Sequence, residues 1–515
     1  MTWTTQGFNK GLNLDDQIDQ LDTATMIDGI DVVFTNRGTV KTRDGFDEFT
    51  SSEGTNRYDS MAAYYTTAGT NQLVCGAGNR LDVLNTSGGV VASSTSPTAS
   101  PHYFTRFGGP NNEVMYIANG TDTVRQWNGS AFSTPSWVTT TIDGKFLAVT
   151  PWDNRLVCAG FNGTTAGDNP NSVRFSNAGD PLTFKANNYV DLTPGDGEII
   201  TGVVVWNQRL IVFKQTKFFV FSTTNTDSAG EPIFSYNPVA NNRGLYAPGA
   251  VAVNDDGVYF VDREGVYRTT GGSAVCVSDN IAPIFIGSPP ESYGSGILET
   301  TQFSKVKASS FNSQIWVAFP AEGSTFNDRV LVFDIVQNSW TIYAIDAGAL
   351  CPWRISGRDE MMIAFSTGTK DIVRHSPAYT TDDGTTIIGR FRSGFTDAGS
   401  PDRKTVREFK VWGQGDLRYG VGVDYQSSSW VDDLSLGATD LWGDGSDPSD
   451  VWGDGTDPSD LWGVGGAPRP AMSRIATQGT LFSFEFSGYS AAPFSVNRVT
   501  AYVREVEYQS AIGGS

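Results

Sequence analysis

The chain has 515 residues, with 36 Lys plus Arg against 56 Asp plus Glu and a formal charge of −20. Each phosphate contact wants a Lys or Arg, so this balance speaks against a protein that grips a nucleic-acid backbone. It is compatible with a passage through which nucleic acid slides without sticking, or simply with the solubility of a large β protein. Four Cys in a chain of this length do not make a disulfide framework, and two His with no CxxC spacing argue against a zinc site.

The N-terminus, Met1-Thr2-Trp3-Thr4-Thr5-Gln6, is polar and lacks the basic and apolar regions of a secretory signal. No apolar run approaches the roughly 20 residues of a membrane-spanning helix. The expectation is a chain made and folded in a cytoplasm, without a membrane span.

Residues 1–58 read as an N-terminal hairpin or platform segment. Two short β-branched runs, up to Val32-Val33-Phe34 and from Thr39-Val40-Lys41, flank an Asn36-Arg37-Gly38 turn signal.

Between 59 and 380 a two-strand phrase recurs at steps of roughly forty to sixty residues. It consists of an apolar run, a short polar break and a second apolar run. Examples are Met61 to Tyr65 followed by Asn71 to Gly76, Phe146 to Val149 followed by Asp153-Asn154 and Arg155 to Gly160, and Gly202 to Trp206 followed by Asn207-Gln208 and Arg209 to Phe213. Copied β-meanders close into propellers. First strands are expected to start near Ser60, Tyr103, Phe146, Ile199, Ala250, Val306 and Ala349, giving about seven blades, with six or eight as alternatives. Cys75 and Cys158 fall at matching places in two copies and read as buried free thiols.

From 381 to 515 the phrase stops and longer alternating strands begin, such as Phe482-Ser483-Phe484-Glu485-Phe486. These read as a C-terminal antiparallel β-sandwich. The fold class is therefore all-β. An insertion at 440–466 carries a ten-residue repeat, Asp440-Leu441-Trp442-Gly443-Asp444-Gly445-Ser446-Asp447-Pro448-Ser449 and its near copy from Asp450 to Ser459.

That repeat is the sharpest local motif. Asp444, Asp447, Asp454 and Asp457 are weak candidates for a Ca²⁺ site, because hard cations take closely spaced oxygen ligands. The spacing matches neither an EF-hand nor a calcium β-roll. The plainer reading is a protruding loop in which Trp442, Trp452 and Trp462 pack on a neighbour as interface residues while the acids stay solvated. Exposed Trp can also stack on sugar faces.

No catalytic residue is assigned and no cofactor is expected, so the chain reads as a non-enzyme. His102 and His375 stand beside no nucleophile motif and read as ordinary packing or surface residues. Arg390, Arg392, Arg403, Lys404, Arg407 and Lys410 form the densest basic group, expected on a solvated or interface face of a strand pair, with DNA binding a minor reading.

Three regions resemble one known family. Gly7-Phe8-Asn9-Lys10-Gly11-Leu12-Asn13, the apolar stretch 24–34 and the phrase 38–46 resemble the opening of the tail nozzle proteins of short-tailed bacteriophages, the tail tubular protein B-like propellers. In Thr42-Arg43-Asp44-Gly45, Asp44 stands where that family usually has Pro. Asn154 to Gly160, Asn171 to Ser176, Gly179-Asp180-Pro181, Asp196 to Ile200 and Leu210 to Lys214 are similar to a second family phrase, and Gly389-Arg390-Phe391 with Asp402-Arg403-Lys404 to its post-propeller sheet. Related propellers also occur in long-tailed phages.

The resemblance implies a structural component of the virion tail: a hexameric nozzle ring at the distal end, forming part of the DNA ejection channel. Its implied partners are copies of itself, the adaptor and portal proteins, tail fibres or spikes, and viral DNA passing without sequence-specific contacts. The alternative is a propeller-based carbohydrate-binding adhesin or receptor-binding tail protein.

Overall fold

In three copies of the phrase the polar break is a two-residue turn with both backbones left-handed: Asp153-Asn154, Asn207-Gln208 and Asn312-Ser313. This is the geometry that joins twisted antiparallel strands most tightly, and Asn and Asp tolerate it best among residues with a side chain. The flanking pairs Trp152–Arg155, Trp206–Arg209 and Phe311–Gln314 close the hairpins directly. In the first copy Tyr65 pairs with Asn71, so Asn71 and Gln72 already belong to the second strand rather than to the break.

The architecture was determined as a computed structural model. It describes all residues except 1, 6, 9, 18–20, 36–37, 51–56, 96, 99–100, 109–112, 138–143, 163–168, 227–231, 240–241, 291–292, 368–371, 427, 437–470, 491–492 and 507–515. Seven antiparallel meanders form a β-propeller. Their first strands are Ser60–Tyr65, Tyr103–Phe107, Phe146–Trp152, Ile200–Trp206, Val251–Asn254, Lys307–Phe311 and Ala349–Ile355, each within one residue of its expected start.

Tryptophans stitch neighbouring blades. Trp152 Nε1 of blade 3 donates to the Gln208 carbonyl of blade 4 (2.8 Å), and Trp206 Nε1 of blade 4 to the Asn254 carbonyl of blade 5 (2.9 Å). Trp127 of blade 2 reaches Gln72 of blade 1, and Trp353 of blade 7 reaches Asn71 of blade 1. A buried indole N–H needs an acceptor, and a neighbouring blade supplies it.

The ring closes with a strand from the start of the chain. Phe46–Thr50 pairs antiparallel with Ile372–His375 as the fourth strand of blade 7. The expected boundary at residue 58 therefore does not separate a free N-terminal segment from the propeller. Tying a strand from the start of the chain to the last blade locks the ring against opening at its seam.

The remaining N-terminal strands belong to the sandwich. Thr2–Thr5 pairs with Ser495–Glu505, and Thr25–Ile30 with Arg390–Ser393. The hairpin of Val32–Phe34 and Val40–Thr42, expected around residues 36–38, joins the same sheet through Ser495–Glu505. One long strand, Lys404–Val423, runs through this domain. Its first half pairs with Ala471–Gly479 and Ser495–Glu505; its second half pairs with Ser429–Leu436 and Phe482–Gly488. The strand thus serves both layers and folds around a core in which Phe409 stacks on Phe484, Phe486 and Tyr419.

Candidate functional site

Trp442, Trp452, Trp462, Asp444, Asp447, Asp454 and Asp457 lie outside the described residues. What the structure describes is the place from which their segment departs. Ser429–Leu436 ends before it and Ala471–Gly479 follows it, and both lie along one side of Lys404–Val423. Among the described residues neither strand has a second partner, so the sandwich presents an open edge in two consecutive lengths. Val431 (39% exposed) and Met472 (58% exposed) stand on it. Unpaired N–H and C=O groups beside exposed apolar side chains make a ready template for another chain.

A second polar cluster occupies the axial mouth of the propeller. A cavity of about 200 Å³ is lined by the starts of the first strands of blades 1, 2, 6 and 7, with Asp59, Ser60, His102, Tyr103 and Lys307 among its walls. A wider cavity of about 560 Å³ shares Asp59 and Lys307 and adds Tyr58, Lys305 and Asn327. Ser60 Oγ donates to Asp59 Oδ1 (2.9 Å) and accepts the His102 backbone N–H (3.2 Å). Both ring nitrogens of His102 are buried without a hydrogen-bond partner among the described residues.

Burial lowers the His102 pKa against the opposing pull of Asp59 and Asp122, so the ring is held neutral. Burial likewise lowers Lys307, opposed by Asp59, and raises Tyr103 with help from Asp59. Asp59 is the one carboxylate lining either cavity, so the mouth offers a mixed set of donors rather than an acid pair. His102, expected as a packing or surface residue, lies 42 residues from Ser60 in the chain; only the ring brings the starts of blades 1 and 2 together.

His375 is a packed residue, as expected, in the third strand of blade 7 with its ring 5.0 Å from Trp316. Burial first, and then the nearby Arg43 charge, pull its pKa down to about 3. Cys75, Cys158 and Cys351 are buried and form no disulfide, with Cys351 pushed up to about 12 by burial.

Of the basic group expected on a solvated or interface face, Arg403 and Arg407 are exposed but two members are not. Lys404 is buried, with Nζ donating to the carbonyls of Ser400 and Asp402. Arg392 is buried as well, donating to Ser483 Oγ and the Gln426 carbonyl. A buried cation needs oxygen acceptors, and neighbouring turns provide them here. Among the described residues no group of three or more His, Cys, Asp or Glu could hold a metal ion. No helix of the described residues is long and apolar enough to cross a membrane.

The fold places the chain among seven-bladed β-propellers, here combined with a β-sandwich built from both chain ends. No family model matches it, and no curated protein matches it. Among solved structures it is similar to a streptogramin B lyase (13% identity, TM-score 0.40, covering 64% of this chain and 97% of the other) and to virginiamycin B lyase from Staphylococcus aureus (11%, 0.40, 64% and 98%). It is also similar to BBS1N in complex with ARL6DN (10%, 0.41, 66% and 99%). Likeness at this level carries no argument about activity.

Proposed function

We propose that this chain is a structural subunit of a bacteriophage tail, the nozzle ring at the distal end of a short tail. In this reading it is a virion protein made in the host cytoplasm. Six copies form a ring around the DNA ejection channel, below the adaptor and portal rings, and their outer surfaces dock fibres or spikes. Its work is mechanical rather than catalytic.

The observation that carries the reading is the open sandwich edge formed by Ser429–Leu436 and Ala471–Gly479, with the tryptophan-rich repeat between them in the chain. A ring subunit must present faces that another copy completes, and an edge left unpaired meets that need. Two further features agree with it. A propeller whose seam is closed by its own N-terminal strand is a rigid body suited to a conduit under load. A formal charge of −20 disfavours adhesion to passing DNA.

Negative-stain microscopy of the purified protein, with its mass measured by light scattering, tests the proposal. Rings of a single closed symmetry are expected. A protein that stays monomeric at high concentration and is absent from virions would overturn it.

A further inference from the structure

The outer face of the sandwich carries a cleft of about 830 Å³ where it meets the connection between blades 5 and 6. Its walls include Asp28, Tyr293, Arg390, Glu485, Tyr425 and Trp430. Strand register explains the grouping. Asp28 pairs with Arg392, Arg392 with Glu485, Glu485 with Gly420, and Gly420 with Trp430. Directly paired residues share a face, so these five form one rung across five strands. Phe391 and Phe486, next to them in sequence, point into the opposite, apolar face and stack there.

Gly420 leaves a gap in that rung. Adjacent strands are about 4.8 Å apart, so Trp430 stands about 10 Å from Glu485. A Cβ at Gly420 would meet the Ser429 carbonyl oxygen (3.1 Å), Ser428 Cβ (3.2 Å) and Trp430 Cε3 (3.4 Å), so segment 428–430 closes over this position and the indole flanks it. Trp430 is 45% exposed and Tyr425 48% exposed, unusual for rings of this size.

Most of the polar groups hold one another in place, and two donors are left over. Arg390 Nη2 is fixed by Asp28 Oδ2 (2.9 Å), and Asp28 Oδ1 also accepts from Ser295 and the Gly29 N–H. Arg390 Nε, however, is buried without a hydrogen-bond partner among the described residues, and its distance to Glu485 Oε1 is 3.8 Å. Ser428 Oγ is in the same state. Buried donors left unpaired in a native fold call for an explanation. Here they adjoin a carboxylate acceptor and two exposed aromatic rings.

Charge selects the ligand class. The cleft holds two guanidiniums, Arg390 and Arg392, against three carboxylates, Asp28, Asp424 and Glu485, so 2 − 3 = −1. An anionic ligand is disfavoured. A neutral molecule with an apolar face and a rim of hydroxyls meets aromatic rings, N–H donors and a carboxylate at once. We infer that this junction cleft is a binding site for a neutral saccharide, with one sugar ring against the exposed rings of Trp430 and Tyr425 and its hydroxyls bonded to Glu485, Arg390 and Ser428.

Trp430 lies on Ser429–Leu436, the same strand as the open edge, so binding and assembly are read separately. Binding of the full chain to a printed array of neutral and carboxylated oligosaccharides tests it, with hits titrated by calorimetry. Neutral oligosaccharides are expected to bind, and Trp430→Ala and Glu485→Gln are each expected to weaken binding about tenfold or more. Because Trp430 is exposed and Glu485→Gln keeps its shape, both variants should keep the wild-type circular dichroism. The triple change of Trp442, Trp452 and Trp462 to Ala should leave the signal intact. No signal from any neutral oligosaccharide, binding confined to carboxylated ones, or full binding by both site variants would each overturn the inference. Light scattering on the same samples reports assembly separately.

Discussion

Arg43 and Asp382 face each other across 339 residues of chain, with Nη1 2.8 Å from Oδ1 and Nη2 2.5 Å from Oδ2. The Arg43 side chain is 1% exposed, and its Nε donates to Asp31 Oδ1 (2.6 Å). One guanidinium thus joins the N-terminal hairpin to the end of the propeller, next to the strand that closes the ring. Arg43→Met leaves two carboxylates without their cation, and removing one partner of a buried pair costs about 3–5 kcal/mol. A urea unfolding midpoint should fall accordingly. Arg43→Lys should recover only part of the loss, because an ammonium cannot make the two-pronged contact.

Gly45, two residues further on, donates its N–H to the Tyr379 carbonyl (2.7 Å), and an added Cβ would lie 2.1 Å from the Thr381 carbonyl oxygen. Backbone cannot yield as a flexible side chain would. Gly45→Ala should destabilise the protein by about 1–3 kcal/mol or more and loosen the seam. Limited proteolysis near residue 50 should then release the N-terminal segment faster than in the wild type.

His375 predicts a pH dependence. Its folded pKa of about 3 lies below the usual 6.5. As pH falls below 6.5 the unfolded chain takes up a proton that the folded chain refuses, so stability is lost progressively between about pH 6.5 and 3. The slope from this one group is up to about 1.4 kcal/mol per pH unit. His375→Gln should flatten the fall in urea midpoint between pH 6.5 and 4.5, whatever it does to stability at pH 7.5.

Trp206 tests the stitching of the blades. Trp206→Phe retains a large ring but removes the N–H held by the Asn254 carbonyl. The expected cost is about 1–2 kcal/mol, most of it from the acceptor left unpaired. Amide exchange should rise in blades 4 and 5 before it rises elsewhere.

At the open edge, Val431→Lys with Met472→Lys should leave the fold intact, since both residues are exposed. If rings form through this edge, two buried charges should weaken assembly by at least tenfold. Mass photometry across a dilution series reads the change directly.

Much of the propeller was written in local chemistry. The Asp153-Asn154 and Asn207-Gln208 breaks are left-handed turns that these residue types favour, and the apolar runs beside them bury almost completely. The phrase around Arg43 and Gly45 was visible as a motif, but its reason was not, because its contacts lie more than 300 residues away. Asp44 pairs with Lys41 at a partly exposed position (3.2 Å), so the turn accommodates an acid there.

Sequence alone indicated what recurs: about seven blades, where each begins, the buried thiols and the change to longer alternating strands after residue 380. These follow from periodicity and turn preference, which act within a few residues. Only the tertiary structure decided what closes the ring, how the two chain ends share one sandwich, and which charged side chains meet in the junction cleft. Those features depend on strand register between distant segments, and shifting a register by one residue would turn Arg390, Arg392 and Glu485 to the opposite face.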